Sequence, residues 1–201
     1  MITLYNSDVS GNCYKVRLLL AHLGVDYETR DVDVVDRSNR PELLGDLNPA
    51  LRVPTLVLDD GRPLGESGAI LWYFGEGTRF VPADRYLRAQ VLQWMFFEQY
   101  ETEPTLAVAR FLIAYSKLPR QEYETRLPRL WGGGNKGLAA MDKHLEDREW
   151  FVGGSMTLAD IALYAYTHVA EEGEFDLAPH GNVGAWLDRV ASQPGHVTID
   201  A

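Results

Sequence analysis

The stretch VPTLVLDDGRPLGESGAI, residues 53–70, reads as strand, turn, strand and helix in quick succession. Val53-Pro54-Thr55-Leu56-Val57-Leu58 is a strand run. Asp59-Asp60-Gly61 supplies a hairpin turn leading to a second strand near Arg62–Leu64. Ser67 to Phe74 then forms a helix, with Gly75 and Gly77 beyond it. Upstream, Ile2-Thr3-Leu4-Tyr5 alternates apolar and polar as a short strand does. Ser10 can cap a helix whose apolar residues Val16, Leu19, Leu20 and Leu23 recur at helical spacing, and Gly24 stops it. Val25 to Val35, rich in Val, Tyr and Thr, reads as a second strand, and Pro41 opens a short helix that ends near Asn48-Pro49. The order β-α-β-α-β-β-α predicts a small sheet with helices packed on it over residues 1–77.

Downstream, a Pro-containing linker over residues 78–84 ends the strand signals. The rest reads as helices at about 85–116, 120–148, 157–172 and 183–192, so 85–201 is expected as a second, all-α domain. The whole chain carries 19 basic and 29 acidic side chains, net charge −10, and each half holds about half of that excess. No basic arm is hidden in the average, which argues against nucleic acid and anionic lipid as partners. The single Cys13 cannot form an internal disulfide and fits a reducing compartment. No apolar run is long enough to span a membrane, and Met1–Tyr5 lacks the features of a signal peptide, so the expected location is cytoplasmic.

Three places carry candidate chemistry. Ser10-Gly11-Asn12-Cys13 sits where the first strand meets the first helix. A helix N-terminus favours an anion, and a hydroxyl there can donate to a bound thiolate; the competing reading is that Ser10 only caps the helix. Cys13 occupies the second position of a Cys-x-x-Cys pattern whose first member is Ser10. It falls on the apolar face of the helix, where a cysteine acts as an inert small hydrophobe. Asn12, in the first turn, either supports the backbone or contacts a ligand. At Val53-Pro54 a proline interrupts a strand pattern. A cis bond there would free the Val53 N–H and C=O for an extended peptide ligand, whereas a trans bond would make an ordinary edge proline. At Glu66-Ser67, Ser67 suits an N-cap, while a ligand carboxylate would meet the Ser67 hydroxyl and first-turn amides and Glu66 would pair with an ammonium. An α-amino acid offers both groups together.

The order and spacing of these elements carry more than any one of them. Ser10-Gly11-Asn12, Lys15-Val16-Arg17-Leu18-Leu19-Leu20, Asn48-Pro49, Val53-Pro54-Thr55-Leu56 and Glu66-Ser67-Gly68-Ala69-Ile70 together resemble the glutathione S-transferase superfamily, in particular bacterial members with a serine at the catalytic position. Ser155-Met156-Thr157-Leu158-Ala159-Asp160-Ile161 is similar to the family's buried helix-capping element, with Thr157 as cap, Asp160 returning the bond and Met156 stapled to Ile161. The resemblance implies an α/β thioredoxin-like N-terminal domain that holds glutathione as co-substrate, and an all-α C-terminal domain lining a pocket for a small electrophile. It implies that Ser10 activates the glutathione sulfur, with no metal. Val53 pairs its backbone with the cysteinyl part beside a cis Pro54, and Glu66 and Ser67 hold the γ-glutamyl end. Arg52, with Arg40 as rival, faces the glycyl carboxylate.

The resemblance also implies a homodimer. Trp94-Met95-Phe96-Phe97 covers the whole circumference of a helix, so one face enters the domain core and the others need a second apolar surface or full burial. Three activities sit on this scaffold: glutathione conjugation, glutathione-dependent reduction of disulfides or peroxides, and non-catalytic binding. Gly132-Gly133-Gly134 interrupts the expected helix 120–148 and predicts a kink, a break or a tight backbone contact.

Overall fold

The computed structural model describes all 201 residues, in two compact units: Met1–Thr78 with Pro194–Ala201, and Arg79–Gln193. In the first unit, β1 (Ile2–Asn6), α1 (Gly11–Leu23), β2 (Tyr27–Asp31), α2 (Arg40–Leu44), β3 (Thr55–Val57), β4 (Pro63–Gly65) and α3 (Ser67–Gly75) follow the expected order. The sheet runs β2-β1-β3-β4, with β1 and β2 parallel and the other pairs antiparallel. Alternation along β1 sorts its side chains to two faces. Leu4 packs with Val16 and Leu20 of α1, Leu56 of β3 and Ile70 of α3. Tyr5 turns the other way, to Val32 and Leu44 of α2. This is the thioredoxin-like arrangement. α1 ends as its sequence dictates: Gly24 adopts φ 63° and its N–H returns to the carbonyls of Leu20 and Ala21.

The second unit is helical, and its windings differ from the periodicity. The expected helix 85–116 divides into α4 (Arg85–Phe97), a π-wound segment Glu98–Ala107, a short α5 (Val108–Arg110) and a second π-wound segment Phe111–Tyr115. Pro104 lies inside the first π segment. Proline removes one backbone donor and crowds the carbonyl four residues back, and the wider winding relieves that crowding. Thr102 and Thr105 donate their hydroxyls to the carbonyls of Glu98 (3.1 Å) and Glu101 (2.8 Å), satisfying groups the altered ladder would strand.

α6 (Leu127–His144) runs unbroken through Gly132-Gly133-Gly134, so of the three expected outcomes the tight contact is the one found. A β-carbon at Gly134 would stand 2.7 Å from Phe175 Cζ and 3.1 Å from Leu106 Cδ2, and one at Gly133 would stand 2.8 Å from Thr105 Cγ2. α7 (Leu158–Thr167) stops short of residue 172, a separate turn covers Ala170–Gly173, and α8 (Gly181–Ala191) closes the unit. Asp160 in the first turn of α7 is fully buried and accepts four bonds. They come from the N–H and hydroxyl of Thr157 (2.8 and 2.9 Å), Phe151 N–H (3.1 Å) and Trp186 Nε1–H (3.0 Å). The capping element therefore ties three separate segments to one carboxylate.

Two boundaries differ from the sequence reading. The expected linker 78–84 is packed rather than free: Phe80 and Val81 are buried, and Leu158 N–H donates to Phe80 C=O at 3.0 Å within the second unit. Residues 194–201, read as the end of the helical domain, belong instead to the first unit. No helix is long and apolar enough to cross a membrane.

Candidate active site

Strand register gathers the three candidate motifs. Tyr5 stands opposite Thr55, and Thr55 opposite Gly65. The turn after β1 (Ser7–Ser10), Val53-Pro54 before β3 and Glu66-Ser67 after β4 therefore all leave the sheet at the same end.

Ser10 is the N-cap of α1, in extended conformation (φ −83°, ψ 114°), and its Oγ accepts the Cys13 N–H at 3.3 Å. Its own N–H closes the preceding turn on Ser7 C=O at 3.0 Å. A hydroxyl has one proton to give besides its lone pairs, so capping the helix leaves the Ser10 O–H available. The two readings of Ser10 coexist in one rotamer. Cys13 does not compete: it is wholly buried, and burial pushes its thiol from 9.0 up to about 11, against the opposing pull of the Ser10 hydroxyl. It stays a neutral thiol at ordinary pH.

Asn12 joins the N-termini of two helices. Its Oδ1 accepts from Lys15 Nζ at 2.8 Å and from the Ser67 hydroxyl at 3.3 Å. Ser67 is not the cap of α3, as its type suggested, but its first helical residue; the cap position is Glu66, which offers no side-chain bond to the helix. Glu66 adopts φ 64°, ψ 118°, unusual for a residue with a β-carbon, and its side chain is exposed. The helical ladder begins with Ile70 N–H to Glu66 C=O at 3.0 Å, so the amides of Ser67, Gly68 and Ala69 point out of the helix end. A second non-glycine with positive φ, Leu51 (51°), lies two residues before Val53. Backbone strain of this kind collects at functional sites.

The Val53-Pro54 bond is cis, as the resemblance implied and against the ordinary edge proline. Neither the N–H nor the C=O of Val53 enters the hydrogen bonding of the sheet or turns. Asn48 braces this loop, a task that neither its place at a helix end nor its part in the family resemblance specified. Its Nδ2 donates to Thr55 Oγ1 (2.9 Å) and Arg52 C=O (3.2 Å), while its Oδ1 accepts from Ala50 N–H (3.0 Å). Thr55 Oγ1 donates in turn to Arg52 C=O at 2.8 Å. A β-carbon on Gly65 would meet Asn48 Nδ2 at 2.9 Å, so the glycine admits this brace. An asparagine before proline was the available signal.

The two arginines separate by task. Arg40 spends its guanidinium on the carbonyls of Asp33 (3.3 Å) and Leu51 (3.2 Å), and burial beside Arg37 lowers its pKa. Arg52 is exposed and makes no ion pair or side-chain hydrogen bond, although its carbonyl is held by Asn48 and Thr55.

The sequence matches the family descriptions "Glutathione S-transferase, N-terminal domain" over residues 9–76 and "Glutathione S-transferase, C-terminal domain" over residues 107–194. The chain belongs to the glutathione S-transferase family. A glutathione S-transferase from Pseudomonas fluorescens Pf-5 is similar in structure with a TM-score of 0.94, at 45% identity over 98% of each chain. A glutathione transferase from Burkholderia graminis, solved with two glutathione molecules bound per subunit, has a TM-score of 0.83 at 27% identity, covering 96% of this chain and 85% of that one. The disulfide-bond oxidoreductase YfcG of Escherichia coli K12 is 31% identical over 96% of this chain and 92% of its own. All of the glutathione S-transferase site candidates named above fall inside the N-terminal match.

Proposed function

We propose that the chain is a glutathione transferase in which Ser10 holds the glutathione sulfur as thiolate for attack on small hydrophobic electrophiles. The observation that carries this reading is the Ser10 hydroxyl itself. It is fixed as a helix cap by the Cys13 N–H, with its proton to spare, at the sheet end shared by Val53-Pro54 and Glu66-Ser67. Val53 offers an unpaired N–H and C=O to the cysteinyl part. Glu66 and the amides of Ser67, Gly68 and Ala69 suit the ammonium and carboxylate of the γ-glutamyl end. Asn12 ties the α1 end at the sulfur to the α3 end at the γ-glutamyl group, and Arg52 faces the glycyl carboxylate.

The energetics are adequate only in combination. A free thiol near pKa 8.5 is a few per cent thiolate at neutral pH. Lowering it by about 2 units takes roughly 2.7 kcal/mol of preference for the anion. The end of α1 supplies about 0.3–1 kcal/mol, and about 2 where partly buried. A hydrogen bond to a charged group supplies about 1.5–3 kcal/mol. On binding, the thiol proton passes to solvent. The sulfur then forms a C–S bond and the electrophile's leaving group departs with its bonding pair, in a step governed by positioning.

A second reading has its own support in the likeness to a disulfide-bond oxidoreductase. Because Cys13 is buried and protonated, the thiolates would both come from glutathione. The first attacks a disulfide sulfur and expels one thiolate, and a second glutathione attacks the mixed disulfide, releasing oxidised glutathione and the other thiol. For quaternary state we propose a homodimer. Phe96 (69% exposed) and Tyr100 (81% exposed) leave the apolar surface that the Trp94–Phe97 run requires, while Trp94 and Met95 turn into the core.

The test is to assay conjugation of a nitroaryl halide and reduction of a small disulfide side by side, in wild type, Ser10→Ala and Ser10→Asp. Ser10→Asp keeps an acceptor for the Cys13 N–H but has no proton to donate. Both variants should lose about ten- to hundredfold in conjugation while still binding glutathione. Unchanged conjugation in Ser10→Ala removes the serine from the mechanism. Dominant disulfide reduction promotes the second reading, and failure to bind glutathione leaves a binding module.

A further inference from the structure

Arg17 lies on α1 seven residues beyond Ser10 and is 3% exposed. Its guanidinium serves two segments at once. Nη1 donates to Ala201 C=O at 2.9 Å and reaches Asp8 Oδ1 at 3.4 Å; Nη2 donates to Ile199 C=O at 2.7 Å and to Asp8 C=O at 3.3 Å. Asp8 sits in the turn that delivers Ser10, and Asn6 Nδ2 donates to the same Asp8 Oδ1 at 2.7 Å. Residues 194–201 are also held along α1, where Tyr14 O–H donates to Val197 C=O at 2.8 Å and His22 Nδ1 bonds Pro194 C=O at 3.0 Å.

A buried arginine is a poor choice for stability alone. The side chain of its ion-pair partner Asp8 is 71% exposed, and its Nε–H has no acceptor. Taking such a charge out of water is costly and an exposed partner repays it poorly, although removing the guanidinium also strands the carbonyls of Asp8, Ile199 and Ala201. What only arginine supplies is a rigid planar fork that fixes several acceptors in one mutual geometry. We propose that Arg17 is a positioning residue for Ser10, tying the Ser7–Ser10 turn to the segment Pro194–Ala201 so that the Ser10 hydroxyl is held where the sulfur binds. The proposal rests on the reading of Ser10 given above.

The titratable groups facing Arg17 are Asp8, Cys13, Tyr14 and Tyr27, and none of them is placed at the bound sulfur. The experiment measures kcat, KM for glutathione and the pH profile of kcat/KM with a nitroaryl halide, in wild type, Arg17→Met, Arg17→Lys and Ser10→Ala. Thermal melts check that each variant folds. Arg17→Met should lower kcat about tenfold, move the lower limb of the profile up by about one unit and leave KM for glutathione within about twofold. Arg17→Lys keeps the charge but cannot span both segments, so it should show the same limb shift. If Arg17→Met does not fold, Arg17→Lys alone decides. Wild-type kinetics in a folded Arg17 variant, full rescue by lysine, or a change confined to KM overturns the proposal. The Ser10→Ala control separates the two claims: if it shifts the limb and the Arg17 variants do not, only the positioning role falls. If Ser10→Ala leaves the limb in place, the reading of Ser10 falls first.

Discussion

The glycines of α6 make a sharp stability prediction. Each costs about 1 kcal/mol against alanine in a helix interior, so Gly→Ala gains about that much where nothing opposes it. At Gly132 a β-carbon meets nothing within 4 Å. Gly132→Ala should therefore stabilise the chain by about 1 kcal/mol, or raise Tm by about 2–4 °C for a protein this long. At Gly134 the same methyl group overlaps the ring of Phe175, which is 3% exposed and packed with Leu106 and Leu138. Overpacking costs about 1–3 kcal/mol, and a ring that cannot retreat belongs at the upper end, so Gly134→Ala should be destabilised by about 2 kcal/mol net. Gly133 falls between, because the opposing Thr105 methyl is on a side chain pinned by two hydroxyl bonds, to Glu101 C=O at 2.8 Å and Thr102 C=O at 3.0 Å. Thermal unfolding by circular dichroism, with fluorescence as a second probe, gives the order. If Gly134→Ala melts at or above Gly132→Ala, the close packing of α6 is wrong.

Three further outcomes follow from the same contacts. Asp160→Ala strands four buried donors and should cost about 3–5 kcal/mol, seen as loss of folded protein in soluble expression or in a urea titration. Cys13 keeps its proton to about pH 11 when folded and loses it near 9.0 when unfolded, so stability falls as pH rises through that window, by about 2–3 kcal/mol. Cys13→Ala should remove the fall that begins near pH 9 in urea titrations and retain glutathione-dependent activity. Tyr164 and half-buried Tyr27, also raised by burial, keep a slope above about pH 10. A fall near pH 9 that the substitution leaves unchanged assigns it elsewhere. Arg52→Ala should weaken glutathione binding about tenfold by calorimetry with an unchanged Tm, whereas Arg40→Ala should lower Tm by releasing the Asp33 and Leu51 carbonyls. Identical behaviour of the two variants contradicts their division of labour.

Local chemistry was the legible part of this chain. Ser10 and Gly24 bound α1 as their types require, and Thr157 with Asp160 builds the capping element from adjacent residues. Hydrophobic alternation placed β1 with Leu4 and Tyr5 on opposite faces. Effects set by distant partners were hidden. Ser67 looks like a cap, yet Glu66 takes that position with positive φ and the Ser67 hydroxyl is drawn to Asn12, 55 residues away. The π-wound segment around Pro104 buries Glu98, Thr102 and Leu106, two of them polar, so hydrophobic periodicity carries no sign of the wider winding. Residues 194–201 carry no signal that they return to α1, because the acceptors held by Tyr14 and Arg17 are backbone carbonyls that every residue has. At the site, the resemblance put Arg52 forward with Arg40 as rival, and the carbonyls around Arg40 separate their tasks.

The most direct measurement is the pKa of the glutathione thiol in the binary complex, followed by the ultraviolet absorbance of the thiolate across a pH titration. The account predicts a value about 2 units below that of free glutathione in wild type, with at least about one unit of the depression lost in Ser10→Ala. A bound thiol that titrates like the free one in wild type, or a full depression that survives in Ser10→Ala, would contradict it.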